Sequence, residues 1–250
     1  MQPSSLPALD VHAHIAGDVS PTQLNALKGC VVFAMTRSQR EATYAIRAGG
    51  AASPSVVWGL GTHPGVPASL DKFDEETFRS SMSSFAVVGE VGLDRRGDQA
   101  AQHRVLSGVL RACSTEPVLI SVHSTGRTGV VLDLIAAHPH PGVILHWFNG
   151  SANEVERAAD LGCYFSVNAA MTEEQLRLIP PDKLLTETDF PASTSRTGAS
   201  MPGDTTAIET KLSTMNATPI RLLVWRNLSH VVAASGAGRR LPADITRYLS

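Results

Sequence analysis

The stretch LLTETDFP, residues 184–191, has the pattern of a short buried strand that ends on an acid, Asp189, and is broken by Pro191. The same arrangement, an apolar run followed by a carboxylate or an imidazole, recurs along the whole chain. In parallel α/β folds the carboxyl ends of the strands carry the chemistry, because they meet on one face of the sheet. We therefore expect these side chains to converge on one site.

Helical patterns alternate with the strands. Ser20 followed by Pro21 opens a helix, and Ser151 with Glu154 has the spacing of a capping box. Strands are predicted at residues 8–12, 30–35, 56–61, 85–94, 118–123, 143–148, 164–168 and 184–189. Helices are predicted at residues 20–29, 39–48, 70–82, 99–113, 129–137, 154–161, 173–178, 205–215 and 221–234. This order predicts a (β/α)8 TIM barrel in which the first and eighth strands are neighbours.

Length and composition favour one globular domain. The 250 residues match the size of a single α/β barrel, and a hydrophobic fraction of 43% supports a substantial core. We predict one barrel domain at residues 1–234 and a loosely attached tail at residues 235–250. A loop rich in serine, threonine and glycine after Pro191 is a candidate lid or substrate rim. The net charge of −2 provides no overall field for a polyanion, so a nucleic-acid substrate would need local positive charge or bound metal.

The cysteines and the apolar runs indicate a cytoplasmic protein. Cys30, Cys113 and Cys163 are far apart and lack CxxC spacing, which is typical of buried free thiols in a reducing compartment. Residues 1–10 lack the basic segment and the apolar run of a signal peptide. No run approaches the ~20 apolar residues that a membrane helix needs. We expect no membrane partner.

Seven side chains near the strand ends could bind metal. Strand residues two apart point to the same side, so His12 and His14 can hold the same ion. Glu90 lies within an apolar strand, where an unpaired carboxylate is costly, and therefore needs a cation. The candidates are His12, His14, His63, Glu90, His123, His146 and Asp189. None of them is a thiolate, and such a set suits Mg²⁺, Mn²⁺ or Zn²⁺.

Structural alternatives exist for these candidates. A lone histidine can be a hydrogen-bonded core residue, Glu90 could pair with a buried arginine, and Asp189 could simply end a turn. However, five of the nine histidines fall at predicted strand ends, and this joint pattern favours a metal centre.

Two further pairs of residues follow predicted strands. Arg95 and Arg96 form either a solvated loop or a phosphate clamp. Trp147 and Phe148 are core or rim residues, with stacking on a nucleobase as the alternative.

Taken in order, the motifs resemble those of a known family. DVHAH, GTHPG, VGEVGLD, SVHS, LHWFNGS and LLTETDFP are similar to motifs of the TatD family of metal-dependent nucleases, in the amidohydrolase-like barrel superfamily. The resemblance covers roughly residues 8–234. Over LHWFNGS, LGCYFSVNAAM and LLTETDFP the chain most resembles the TatD-like branch found in Qat anti-phage defence operons.

The resemblance implies a centre of two divalent metal ions. The implied donors are His12, His14 and Asp189 for one ion, His123 and His146 for the other, and Glu90 as the bridge. Asp189 would also orient the nucleophile or accept its proton.

Other implied roles concern the substrate. His63 would approach the scissile phosphate, which Arg95 or Arg127 would help to steady. The arginine that the family usually carries two residues after the fifth-strand histidine is Thr125 here, with Arg127 as its candidate replacement. Glu187 would help to bind a further cation.

The resemblance predicts a metal-dependent phosphodiesterase that acts exonucleolytically on nucleic acid, DNA ahead of RNA, with protein partners from a defence operon. One alternative is an ester or amide hydrolase with the same centre, such as an aminoacyl-tRNA deacylase. The other is a subunit of a defence complex that binds a partner or a nucleic-acid end with little turnover.

Overall fold

The structure, a computed structural model, describes residues 6–47 and 55–249. Its eight parallel strands form one sheet in the order β1-β2-β3-β4-β5-β6-β7-β8. They are β1 (Ala8–His14), β2 (Cys30–Met35), β3 (Val56–Leu60), β4 (Val87–Gly92), β5 (Leu119–His123), β6 (Val143–Leu145), β7 (Tyr164–Val167) and β8 (Leu184–Thr186). Neighbours along the chain are neighbours in the sheet, which confirms the predicted TIM barrel.

Helices separate consecutive strands and cover the outside of the barrel. They are α1 (Pro21–Ala26), α2 (Gln39–Arg47), α3 (Pro67–Asp71), α4 (Glu75–Ser81), α5 (Gln99–Cys113), α6 (Thr128–Ala137), α7 (Ala152–Asp160), α8 (Glu173–Leu178), α9 (Thr194–Thr197), α10 (Thr206–Ser213), α11 (Ile220–Ser235) and α12 (Ala243–Thr246). Within residues 6–47 and 55–249, no helix combines the length and the apolar character that a membrane crossing requires.

Several elements have the predicted bounds because local signals set their ends. Strand β2 and helices α5 and α8 begin and end where expected. Asp98 caps α5 by accepting hydrogen bonds from two backbone N–H groups of its first turn. Complete capping boxes join Ser20 with Gln23 and Ser151 with Glu154. Helix α2 is confirmed as far as Arg47, and its predicted last residue, 48, lies outside the described residues.

The single helix predicted at residues 70–82 is wrong, because the chain forms two helices there. Helix α3 ends at Asp71, and Asp74 adopts an extended conformation with φ −125°. The Asp74 carboxylate accepts a hydrogen bond of 2.8 Å from the backbone N–H of Thr77. A new helix, α4, therefore starts at Glu75.

Two predicted strands extend three residues too far at their carboxyl ends. Strand β6 ends at Leu145 and β8 ends at Thr186. Just beyond them, Trp147 has φ 38° and Asp189 has φ 49°. These left-handed conformations cannot continue a strand, so both segments leave the sheet as they reach the mouth of the barrel.

The first and eighth strands are neighbours, as predicted. The backbone N–H of Asp189 donates a hydrogen bond of 2.9 Å to the carbonyl of His12, and the N–H of His14 donates one of 2.7 Å to the carbonyl of Phe190. Both bonds involve residues beyond the carboxyl end of β8. The seam of the barrel, where β1 meets β8, is therefore held by hydrogen bonds at the level of the predicted metal ligands.

A buried carboxylate, that of Asp10, holds the lower part of this seam. It accepts hydrogen bonds from the backbone N–H of Thr188 (2.9 Å), the hydroxyl of Thr188 (2.6 Å) and the backbone N–H of Gly203 (2.8 Å). Burial raises the pKa of Asp10 to about 6, although these hydrogen bonds oppose the rise. Gly203 has φ 84° and lies so close to Cys30 that a Cβ atom would not fit. Asp10 thus fastens β1 to both the end of β8 and the following loop.

The expectation of a loosely attached tail is wrong for the described residues after α11. The Ile245 side chain is fully buried, and the Tyr248 ring packs against Trp225 with centroids 5.1 Å apart. The Arg240 guanidinium pairs with the carboxylate of Glu116 at 2.5 Å. This segment lies across the amino-terminal end of the barrel as part of its packing.

The three cysteines are buried free thiols, as predicted. Burial raises the pKa of Cys30 to about 11 and that of Cys163 to about 12. Both thiols therefore stay protonated and unreactive at neutral pH.

We predict that Asp10→Ala lowers the free energy of unfolding by about 3 kcal/mol, because it leaves several buried donors without an acceptor. The measurement is urea unfolding in the presence of a chelator, so that bound metal does not contribute. The control is Asp133→Ala, which removes an exposed ion pair with Arg157 and should cost less than about 1 kcal/mol. Equal effects of the two substitutions would contradict the role given to Asp10.

Candidate active site

The predicted metal ligands meet at the carboxyl-terminal mouth of the barrel. There they surround a cavity of about 520 Å³. His12 is fully buried beneath the cavity, while the others contribute to its wall. The side chains in the wall are His14, His63, Glu90, His123, His146 and Asp189.

Glu90, on β4, lies at the centre of the cluster and is only 2% exposed. Its Oε1 atom lies 2.8 Å from His123 Nδ1 and 3.1 Å from His146 Nε2. Its Oε2 atom lies 3.1 Å from His14 Nε2 and 3.7 Å from His12 Nε2. The two carboxylate oxygens therefore face different histidines.

Asp189 completes the half of the cluster that faces β1. Its Oδ1 atom lies 3.7 Å from His12 Nε2 and 3.9 Å from His14 Nε2. The left-handed conformation of Asp189 turns the chain at this point, and its backbone N–H is bonded to the His12 carbonyl. Barrel closure therefore fixes where this carboxylate sits.

The charges of the cluster depend on one another. Burial alone would raise the pKa of Glu90, but the imidazoles of His146 and His12 outweigh it and hold the pKa well below its usual range. Burial lowers the pKa of His12, and the nearby His146 lowers it further. Burial also disfavours the charged form of His14, yet Glu90 and Asp189 outweigh it and raise the pKa of His14. Burial raises the pKa of Asp189.

Two of the histidines are oriented by hydrogen bonds at their outer nitrogen atoms. His12 Nδ1 lies 2.7 Å from Ser121 Oγ, and His123 Nε2 lies 3.1 Å from Asp94 Oδ2. We assign the ring protons to these nitrogens, because the carboxylate can only accept and because His12 Nε2 has no other partner. The remaining nitrogen of each ring faces Glu90, where a cation bound between ring and carboxylate could accept its lone pair. Such outer partners fix a ligand's tautomer and orientation.

His63 differs from the other histidines. Its Nδ1 accepts a hydrogen bond of 2.8 Å from the backbone N–H of Gly65, so in the neutral ring the proton resides on Nε2. That Nε2 atom lies 3.1 Å from Glu90 Oε2, within the cavity. His63 is therefore built to donate a hydrogen bond into the site rather than to offer a lone pair.

Glu187 lies behind the cluster, away from the cavity. Its carboxylate accepts hydrogen bonds from the hydroxyl of Ser166 and from the Asn168 amide, the latter at 2.9 Å. One of its oxygens lies 3.9 Å from His146 Nδ1. Burial raises the pKa of Glu187 well above its ordinary value, and the charge of Asp189 raises it further. Glu187 is thus placed to interact with the His146 nitrogen that faces away from Glu90.

The arrangement fits divalent cations. Three groups of donors lie close enough to hold an ion, namely His12 with His14 and Glu90, Glu90 with His123 and His146, and His12 with His146 and Glu187. His12 Nε2 is a buried nitrogen without a hydrogen-bond partner in the described part of the chain. Several imidazoles around one carboxylate supply the nitrogen and oxygen donors that zinc and manganese accept.

The arginines take different places at the mouth. Arg96 lines the cavity and binds Asp94 with two hydrogen bonds of 2.9 Å, which lowers the pKa of Asp94. Arg37 also lines the cavity. Arg95 packs against the loop after β5, and Arg127 lines a neighbouring cavity. The phosphate contacts assigned to Arg95 and Arg127 stay predictions.

Three contributors were not anticipated from the sequence. Asp94 follows β4 as the last letter of VGEVGLD, and Ser121 precedes His123 by two residues within SVHS, on the same face of β5. Arg37 follows β2 at the same end of the barrel. Their positions at strand ends, which singled out the histidines, would also have singled them out.

A parallel eight-stranded barrel with clustered histidines and carboxylates at its carboxyl-terminal mouth defines the class of metal-dependent barrel hydrolases. Within that class, the chain belongs to the TatD family, since the profile described as "TatD related DNase" matches residues 9–227.

Curated relatives match shorter stretches. The chain is 31% identical over 153 residues to YjjV of Escherichia coli (strain K12), named an uncharacterized metal-dependent hydrolase, covering 53% of this chain and 57% of YjjV. It is 28% identical over 117 residues to the 3'-5' ssDNA/RNA exonuclease TatD of Citrobacter koseri, covering 42% of this chain and 45% of that protein. The chain thus spans about half the length of the curated relatives it matches.

Solved structures extend the likeness of the fold. The crystal structure of Escherichia coli YjjV has a TM-score of 0.74 and 20% identity, covering 89% of this chain and 96% of that one. A TatD family hydrolase from Entamoeba histolytica has a TM-score of 0.71 and 14% identity, with coverage of 92% and 97%. At these identities the comparison shows the fold alone.

We predict that added Mn²⁺ or Zn²⁺ raises the melting temperature by several degrees. A cation present at roughly 100 times its dissociation constant stabilises the folded state by about 2.7 kcal/mol. Thermal unfolding and the metal content after dialysis measure the effect. Glu90→Gln should abolish both signals, because it removes the carboxylate that two donor groups share.

The matched control is Glu173→Gln on α8, where an exposed carboxylate pairs with Arg177. This variant should respond to the cations as the wild type does. Full metal content in Glu90→Gln would contradict the assignment of Glu90 as a ligand.

Proposed function

We propose that this protein is a divalent-metal-dependent phosphodiesterase that removes nucleotides from the end of a single-stranded nucleic acid, DNA ahead of RNA. The observation that carries the proposal is that the two oxygens of Glu90 face two separate donor groups, which suits two cations on either side of one carboxylate. The relatives named as 3'-5' ssDNA/RNA exonucleases support the choice of substrate.

In this proposal His12, His14 and Asp189 would hold one cation and His123 and His146 would hold the other, with Glu90 as a ligand available to both. Two such cations lower the pKa of bound water and neutralise charge on the attacking and leaving oxygens of an in-line displacement at phosphorus.

The side chains supply positioning and proton transfer. Asp189 would orient the attacking water or accept its proton, because its carboxylate lines the cavity 3.7 Å from His12 and 3.9 Å from His14. The Nε2–H group of His63 would donate a hydrogen bond to a non-bridging phosphate oxygen, because its Nδ1 already accepts one from Gly65. Asp94, held by Arg96, keeps the His123 ring in the tautomer that faces the centre.

A polyanionic substrate would depend on bound cations for its attraction to the mouth. Arg37 and Arg96 line the central cavity, but so do the carboxylates of Glu90, Asp94 and Asp189. The net charge of the chain is −2, so neither the whole chain nor these side chains provide an excess of positive charge. Two divalent cations would provide it where the substrate would lie.

We further propose that the protein acts in anti-phage defence in the cytoplasm, with protein partners from a defence operon. This part of the proposal rests on the resemblance of LHWFNGS, LGCYFSVNAAM and LLTETDFP to the Qat branch. A His12→Ala, His14→Ala double variant should lose phage protection if turnover is what protects the cell. Retained protection would favour the binding-subunit alternative.

We predict that the purified protein degrades single-stranded oligonucleotides with Mg²⁺ or Mn²⁺ and produces a ladder shortened from one end. Chelation should stop the reaction and added cation should restore it. His63→Ala should lower kcat roughly 10²- to 10³-fold, as expected when one donor to developing charge is lost. Glu90→Gln should remove activity together with bound metal.

The same preparations should be assayed on an aminoacyl ester. Hydrolysis of the ester without cleavage of any oligonucleotide would replace this proposal with the deacylase alternative. Full metal-dependent nuclease activity in Glu90→Gln would overturn the assignment of the centre.

A further inference from the structure

Two further cavities flank the central one. The first, here called the tryptophan cavity, has a volume of about 450 Å³, lies beside the loops after β5 and β6, and shares Trp147 and Asn149 with the central cavity. The second, called the proline cavity, has a volume of about 420 Å³, is lined by Pro64 and shares His63 with the central cavity. Together they form a groove across the mouth with the metal centre in its middle.

Trp147 stands where the central and tryptophan cavities join. Its backbone has φ 38°, which a bulky residue rarely adopts, and its side chain is only half-buried. The neighbouring Phe148 is 1% exposed and packs on Phe165 in the core, with ring centroids 5.2 Å apart. Strained conformations of this kind cluster at functional sites. Of the two aromatic residues, Trp147 is therefore the one presented to a ligand.

The charges of the two flanking cavities differ. Arg127 lines the tryptophan cavity, and its Nε atom is buried without a hydrogen-bond partner in the part of the chain that the structure describes. The guanidinium of Arg196, on α9, lies over one face of the Trp147 ring, 5.8 Å from its centroid, and leaves the other face for a ligand. Glu154 also lines the tryptophan cavity, whereas Asp71, Asp94 and Asp98 line the proline cavity together with Arg96. The proline cavity therefore has the larger excess of negative charge and would repel a phosphate more strongly. The polyanionic part of a substrate is therefore expected on the side of Trp147.

We propose that the tryptophan cavity is a nucleotide subsite, in which an unpaired base stacks on Trp147 and its phosphate accepts hydrogen bonds from Arg127. The inference rests on the proposed nuclease function and adds the path that the single strand takes through the groove. The single strand leaves the metal centre through the tryptophan cavity, and its terminal nucleoside lies toward the proline cavity. A stacked base must expose its face, so the subsite selects single strands over duplex.

The first test compares two substrates of different length. One is an oligothymidylate, and the other is the methyl ester of thymidine 5'-monophosphate, whose leaving group carries no ring that could stack on Trp147. Trp147→Ala should lower kcat/KM for the oligothymidylate roughly 10- to 100-fold more than for the ester, the range found for loss of base stacking. Trp147→Phe should recover most of the loss, because it keeps an aromatic face.

Arg127→Ala should raise KM for the oligothymidylate and weaken the salt dependence of binding, because one phosphate contact is lost. The matched control is Arg226→Ala. Arg226 lines a cavity with Leu6, at the opposite end of the barrel. This control should leave both quantities as in the wild type.

A second test measures binding without turnover. Trp58 and Trp225 are 5% and 2% exposed, so quenching of tryptophan fluorescence by a ligand in the groove reports Trp147. A phosphorothioate oligothymidylate, which resists hydrolysis, should quench the wild type in Mg²⁺ and should not quench Trp147→Phe.

The outcomes separate the subsite from the nuclease proposal. Equal losses on both substrates in Trp147→Ala would assign Trp147 a structural role and overturn the subsite, as would cleavage of oligonucleotides without any quenching. Quenching of the wild type by an oligonucleotide that no preparation cleaves would support the subsite and overturn the nuclease. Selective loss with quenching supports both.

Discussion

The buried carboxylate of Glu90 is the constraint on which the site depends. An isolated charge at that depth would cost several kcal/mol or would simply take up a proton. Instead, imidazoles from strands on opposite sides of the mouth approach it, and they hold its pKa low. The eight strands must therefore close into a barrel for this charge to be tolerated. Bound metal ions would also stabilise this negative charge, so folding and cation binding both compensate the buried carboxylate of Glu90.

The histidines around Glu90 have different roles. The hydrogen-bond partner of the outer nitrogen of each ring determines whether the inner nitrogen is a donor or an acceptor. Ser121 and Asp94 take the outer protons of His12 and His123, which leaves lone pairs for cations. For His63, the backbone N–H of Gly65 donates to Nδ1, so Nε2 keeps its proton and can donate a hydrogen bond to the substrate. One residue type thus provides both the acceptors and the donor of the site. A substitution in the outer partner would change the chemistry of a ring without touching the ring itself.

The fold and the positions of the donors could be predicted from the sequence, because both depend on local periodicity. Strand β2 and helix α5 have clear ends, and every predicted ligand lies at the mouth, where parallel strands must bring it. The helix expected at residues 70–82 was broken by the Asp74 cap, a local signal that its apolar pattern concealed. The strands predicted to end near Trp147 and Asp189 were too long, because an apolar run does not indicate which residue adopts a left-handed conformation. The contact of His12 with Ser121 joins strands that are far apart in the sequence, so no spacing predicts it. The contact of His63 with the backbone of Gly65 is local, but it depends on the orientation of the imidazole ring.

The seam held by Asp10 has a consequence for when the site comes into being. Synthesis proceeds from the amino terminus, and domains fold as their segments emerge. The donors extend from His12 to Asp189, and the Asp10 carboxylate reaches its last partner only at Gly203. A growing chain therefore cannot bring all of these donors together until Asp189 has left the ribosome, and the Asp10 carboxylate stays incompletely paired until Gly203 has followed.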